Sequence, residues 1–120
     1  MSGQLPPQIQ NQLAQLQQLQ QQGQALVNQK NQIEVLKKET ESALNELDNA
    51  SEDVVVYKNV GEIFLKADRA TLLEELKERK DLLELRLKTV TKQEERIQGR
   101  FAQLQEQLKQ ALGQVPPKGG

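Results

Sequence analysis

Positions 73, 80, 87, 94, 101, 108 and 115 carry Leu, Lys, Leu, Glu, Phe, Leu and Val, and positions 76, 83, 90, 97, 104 and 111 carry Leu, Leu, Val, Ile, Leu and Ala. Of these thirteen residues only Lys80 and Glu94 are charged. Two interleaved seven-residue series of this kind leave little choice of fold, because they place one apolar seam along an α-helix that must bury it against another helix. Asp68, or the Thr71–Glu74 capping box just after it, can start this helix; Gly113 followed by Pro116 and Pro117 stops it. The expected second helix therefore covers residues 68–113, with 114–120 as a flexible C-terminal tail.

The partner helix is expected in the same chain. Thirteen of the first 32 residues are Gln, yet Ile9, Leu13, Leu16 and Leu19 recur at the three-and-four spacing of one helix face. Gln forms helices well, and Pro6-Pro7 suits a first turn. Leu26, Ile33, Leu36, Thr40, Ala43 or Leu44, and Leu47 continue the stripe. The first helix is thus expected over residues 7–51, after a flexible N-terminus at 1–6. If the two helices fold back on each other, facing positions sum to about 120, so that Leu47 meets Leu73, Leu44 meets Leu76, Ile33 meets Leu87 and Leu16 meets Leu104. Apolar residues meet repeatedly. The fold class is mainly α: one domain, residues 1–120, holding an antiparallel two-helix coiled coil.

Between the helices lies a strand-like island, residues 52–67, rich in β-branched and aromatic side chains. Asn59-Val60-Gly61 fits a three-residue loop, which pairs Lys58 with Glu62, Tyr57 with Ile63, Val56 with Phe64 and Val55 with Leu65. One face then carries Val55, Tyr57, Ile63 and Leu65, and the other Val54, Val56 and Phe64. A lone two-stranded hairpin is marginal in water, and both its edges are open. Helix ends can cover one face at most. The remaining face and edges call for other subunits, whose hairpins would close an intersubunit β-barrel; the alternative is a hairpin that only caps its own coil.

Composition narrows the function. With no Cys and no His, disulfides, thiolate metal sites and the usual general base are excluded. Carboxylates are plentiful but lie on solvated helix faces, so no catalytic, cofactor-binding or metal-binding residue is nominated, and the chain is expected not to be an enzyme. A net charge of −1 offers nucleic acid or an anionic membrane no attraction. No apolar run approaches a bilayer span, and MSGQLPPQIQ lacks the character of a signal peptide, so a cytoplasmic protein is expected and Asn49-Ala50-Ser51 is a chance glycosylation match.

The central VVVYKNVGEIFLKAD and the seam ending QEERIQGRFAQLQEQL together resemble prefoldin β-class subunits of the archaeal type, along nearly the whole chain. Tyr57-Lys58, Gly61 and the apolar strand after it are the most specific part. The resemblance implies a hetero-hexamer of two α-class and four β-class subunits, whose hairpins form a double β-barrel platform bearing six coiled-coil tentacles. It further implies an ATP-independent holdase that binds unfolded proteins at the tentacle tips and passes them to a group II chaperonin. Val54, Val55, Val56, Tyr57, Gly61, Ile63, Phe64 and Leu65 would form the assembly hairpin.

For the tips, the frame set by Ile33, Leu36, Thr40 and Leu47 predicts seam positions 12, 15, 22 and 29, all Gln, with Leu13 and Leu16 one step aside. A seam that slips there would leave Leu5, Ile9, Leu13 and Leu16 available to clients, beside Leu108, Leu112 and Val115. The alternative is ordinary packing with a local frame shift. A second functional reading, a structural tether or adaptor that oligomerises through its hairpin, differs in that it protects no unfolded protein.

Overall fold

A computed structural model of the chain describes residues 5–114. Four elements follow in order: α1 (Pro7–Asn49), β1 (Val56–Val60), β2 (Ile63–Ala67) and α2 (Arg69–Gly113). α1 opens with Pro7 at its first helical position, where a missing N–H costs nothing, while the Pro6 carbonyl accepts from the Gln10 amide at 3.0 Å. It ends at Asn49 rather than at residue 51, because the Val54 amide turns back to the Ser51 carbonyl at 3.1 Å. At the start of α2 Asp68 is the cap: its Oδ2 accepts from the Thr71 amide at 3.1 Å and from the Thr71 hydroxyl at 3.0 Å. Those bonds favour the carboxylate and hold its pKa below the ordinary value, the backbone bond contributing most. Among the described residues no helix is long and apolar enough to cross a membrane.

The chain divides into two compact units, one of Met1–Gln29 with Val90–Gly120 and one of Lys30–Thr89. In the first, α1 and α2 pack antiparallel in the expected register: a β-carbon on Gly23 would lie 3.5 Å from Ile97 Cγ2. Ile9, Leu19, Val90, Leu104 and Leu108 are buried there, and Leu16, Leu26, Ile97, Phe101 and Ala111 are half-buried. In the second, Ile33, Leu47 and Leu83 are buried, as is Thr40, whose hydroxyl donates to the Leu36 carbonyl at 2.8 Å. The Thr40 hydroxyl is thus satisfied by its own helix, whereas Gln12 Oε1, at another seam position, is buried without a partner. Across the same unit Lys37 Nζ lies 4.0 Å from Glu84 Oε1.

Every described seam position nominated in α2 is buried or half-buried, Lys80 and Glu94 included. The α1 frame needs a correction. Its least exposed residues run 9, 12, 16, 19, 23, 26, 30, 33, 37, 40, 44 and 47, alternating steps of three and four without interruption. The seam does not slip. One of its two columns reads Ile9, Leu16, Gly23, Lys30, Lys37, Leu44, and its three central members carry no apolar signal. Leu36, beside Lys37, mimics the missing member and is 36 % exposed. A Lys can occupy such a place because its methylene stem covers apolar surface while the ammonium reaches water.

Two outcomes follow. Gly99 has open space around its would-be β-carbon and Gly23 only an ordinary contact. Gly99→Ala and Gly23→Ala are each expected to stabilise the helices by up to about 1 kcal/mol, read as a higher thermal midpoint. Asp68→Ala is expected to lower the midpoint near neutral pH. Because the folded pKa is depressed, the cap's contribution is present above the ordinary value of 3.8 and lost as pH falls through the folded one. The difference between parent and variant should therefore close in acid; a gap that persists at low pH would remove the cap from the explanation.

Candidate functional site

The hairpin's geometry follows from its turn. Val60 pairs with Ile63, Asn59 with Phe64, Lys58 with Leu65, Tyr57 with Lys66 and Val56 with Ala67. The loop is therefore the two residues Gly61-Glu62 and not Asn59-Val60-Gly61, a shift of three in register. Gly61 has φ +63° and no other described residue has positive φ. That combination is a type II′ turn, whose twist matches the flanking strands. An odd shift in register exchanges faces. One face now carries Val56, Lys58, Val60, Ile63, Leu65 and Ala67; the other carries Tyr57, Asn59, Phe64 and Lys66. The expected Lys58–Glu62 pair gives way to Lys58 Nζ on Glu75 Oε2 of α2, at 2.9 Å. Both groups are about half exposed (47 % and 45 %), so the pair orients the hairpin against the helix more than it stabilises the fold.

Neither face is covered. Val55, Tyr57, Val60, Ile63, Phe64 and Leu65 are 49–71 % exposed, whereas Val54 and Val56 are half-buried and Val54 and Val55 precede β1. Val60 falls in the loop of the expected hairpin and becomes a strand residue only in the observed register; a Gly-Xaa pair between apolar runs is the signal that finds it. Covering large apolar side chains is worth roughly 1.5–3 kcal/mol for each one taken fully out of water. At the base of the hairpin the Arg69 guanidinium donates to the Leu47 carbonyl at 2.9 Å. The first residue of α2 thus satisfies a carbonyl in the last turn of α1, where a cation also complements the helix dipole.

The nominated tip residues separate into two sets. Ile9 and Leu108 are buried seam members (3 % and 7 % exposed) and Leu16 is half-buried, so an unslipped seam encloses them. Leu5, Leu13 and Leu112 stand open at 38 %, 38 % and 45 %. Val115 lies outside the described residues. A groove beside the seam is lined by Leu16 and Leu108 with Ala102, Gln105, Glu106, Lys109 and Leu112.

Comparison with known proteins gives a consistent result. A family model described as prefoldin subunit matches residues 10–115. The prefoldin subunit beta of Methanothrix thermoacetophila is 74 % identical over the whole of both chains. That of Methanococcoides burtonii is 58 % identical, covering 94 % of this chain and 97 % of the other. The crystal structure of the prefoldin beta subunit from Thermococcus strain KS-1 superimposes with a TM-score of 0.84 at 37 % identity, over 95 % of this chain and 98 % of that one. The beta2 subunit of the same strain, with a TM-score of 0.69 at 14 % identity, shares the fold over 76 % of this chain and 97 % of its own.

Gly61→Ala forces a side chain into a backbone region L-residues avoid, at a cost of about 1–2 kcal/mol. Amide hydrogen exchange across β1 and β2 should quicken in the variant while α1 and α2 keep their protection. Unchanged strand protection would contradict the turn geometry.

Proposed function

This chain belongs to the prefoldin family, to its β-subunit class, and on that premise we propose that it is a holdase subunit of a hetero-hexamer with two α-class and four β-class members. Membership supports a chaperone role and hetero-oligomers with other prefoldin subunits. The observation that carries the assembly is the hairpin: five large apolar side chains, Tyr57, Val60, Ile63, Phe64 and Leu65, stand in water on the two faces of a two-stranded sheet. Hairpins of neighbouring subunits close these faces and edges into a double β-barrel. Unfolded proteins are then held at the ends of the helices away from the hairpin, without ATP, and delivered to a group II chaperonin in the cytoplasm. Leu5, Leu13 and Leu112 offer the open apolar contact there, and Ile9 and Leu108 keep the seam closed beneath them. No catalytic step is part of this reading. Scattered apolar groups on a helix surface suit clients of unrelated sequence, since they impose no pattern.

Light-scattering mass separates assembly from its alternative. Mixed with an α-class subunit, the chain should give a defined species of six subunits; a monomer or simple dimer, alone and mixed, would leave the hairpin as a cap on its own coil. Aggregation of an unrelated unfolded protein should be suppressed by the mixed complex without nucleotide, which a tether would not do. Removing about ten residues from each end is expected to weaken that protection and leave the six-subunit mass intact. A truncated complex that protects as well as the full one would move the client site away from these ends.

A further inference from the structure

The first ionisable side chain in the sequence is Lys30. Through Gln29, α1 therefore contributes no charged side chain to its unit, and the distribution is sharper on one flank of the seam. Each residue directly after the seam positions 12, 19 and 26 of α1 and 97, 104 and 111 of α2 lies on the same side of this antiparallel pair. These six are Leu13, Gln20, Val27, Gln98, Gln105 and Leu112, all uncharged and all exposed or half-buried. Corresponding positions in the other unit, after 33, 40, 47, 76 and 83, hold Glu34, Glu41, Asp48, Lys77 and Glu84, every one charged. The neutral flank also borders the groove in which Gln105 and Leu112 meet Leu16 and Leu108, a groove whose lining also includes the oppositely charged Glu106 and Lys109.

We infer that this neutral flank is the binding strip for an extended, uncharged segment of an unfolded polypeptide, with Gln20, Gln98 and Gln105 bonding to its backbone and Leu13, Val27 and Leu112 packing on its side chains. The inference rests on the holdase reading and deepens it. A client laid along a flank removes that flank from water. Charges covered in this way lose hydration that a random client cannot replace. Carboxamides both donate and accept, and a peptide backbone presents one N–H and one C=O per residue whatever its sequence. Amides grouped between apolar residues thus match the one chemistry all unfolded chains share. Capture on such a strip is also expected to be nearly indifferent to salt.

The test uses the full chain assembled with an α-class subunit and guanidinium-unfolded citrate synthase as the probe, with helix content and six-subunit mass checked for each variant. Gln20→Glu, Gln98→Glu and Gln105→Glu together should weaken capture about tenfold or more, because the client must now cover three charges. Gln18→Glu, Gln21→Glu and Gln103→Glu, which add the same charge on outward faces, should leave it within about twofold. The triple change of Gln20, Gln98 and Gln105 to Met keeps length and neutrality but removes the amides, and should cost about fivefold or more. Parental capture by the flank Glu triple, or equal losses in both Glu triples, would overturn the strip. Parental capture by the Met triple would overturn the backbone bonding. A parent complex of doubled mass that the flank Glu triple returns to six subunits, with protection unchanged, would assign the flank to a second complex and overturn the inference as well. Failure of the parent itself to protect citrate synthase would instead strike the holdase reading first.

Discussion

Burial in this protein is one row of side chains deep. Two helices in contact can hide only the residues along their shared seam, and eight apolar side chains and Thr40 fall below a tenth exposed among the described residues. Among the described residues no third layer receives anything else. A compact domain would fold a hairpin such as β1–β2 onto its core; here the ends of α1 and α2 present too little surface to cover even one of its faces. The shallow core therefore leaves the apolar hairpin outward, with its hydrophobic burial incomplete in the isolated chain. In the proposed assembly, the surface left open by folding is the surface that association closes.

How much of this was readable from the sequence depended on whether a position declared itself by its own chemistry. The α2 seam was legible because Leu, Val, Ile and Phe fill nearly all its places, and two charges could not obscure a repeat sustained from Leu73 to Ala111. The α1 seam was half legible. Its Leu19, Leu26, Ile33 column showed through, while Gly23, Lys30 and Lys37 hid the other and Leu36 supplied a false member. Periodicity registers apolarity, whereas burial at Lys37 comes from an aliphatic stem that no hydropathy pattern counts. The hairpin was legible as an element and misread in register, because Asn59-Val60-Gly61 and Gly61-Glu62 are both acceptable loops around one glycine. Twist compatibility favours the two-residue form. The tip residues were the least legible, since exposure of Leu13 and enclosure of Ile9 differ by one place in a frame that the sequence leaves blurred.

Charge is distributed as unevenly as burial. The unit built of residues 30–89 holds the ion pairs of Lys37 with Glu41 and Glu84 and of Lys58 with Glu75. The helix before Lys30 is neutral and rich in amides. Ion pairs fix orientation and resist being covered; amides accept either solvent or a peptide as partner. The chain thus presents two chemically different surroundings, ion-paired between residues 30 and 89 and amide-rich before Lys30.

The two-residue turn at Gly61-Glu62 has a consequence for how association proceeds. A longer loop leaves strands free to slide and splay, and each incoming partner must then freeze that freedom before contacts form. Here the tightest available connection sets the ladder in advance. In the proposed barrel the entropy lost on joining is correspondingly small, so more of the gain from covering Tyr57, Phe64 and Leu65 survives as affinity. Partner choice also becomes a matter of fit rather than accommodation: a strand whose spacing does not match this rigid ladder cannot be rescued by adjustment of the hairpin.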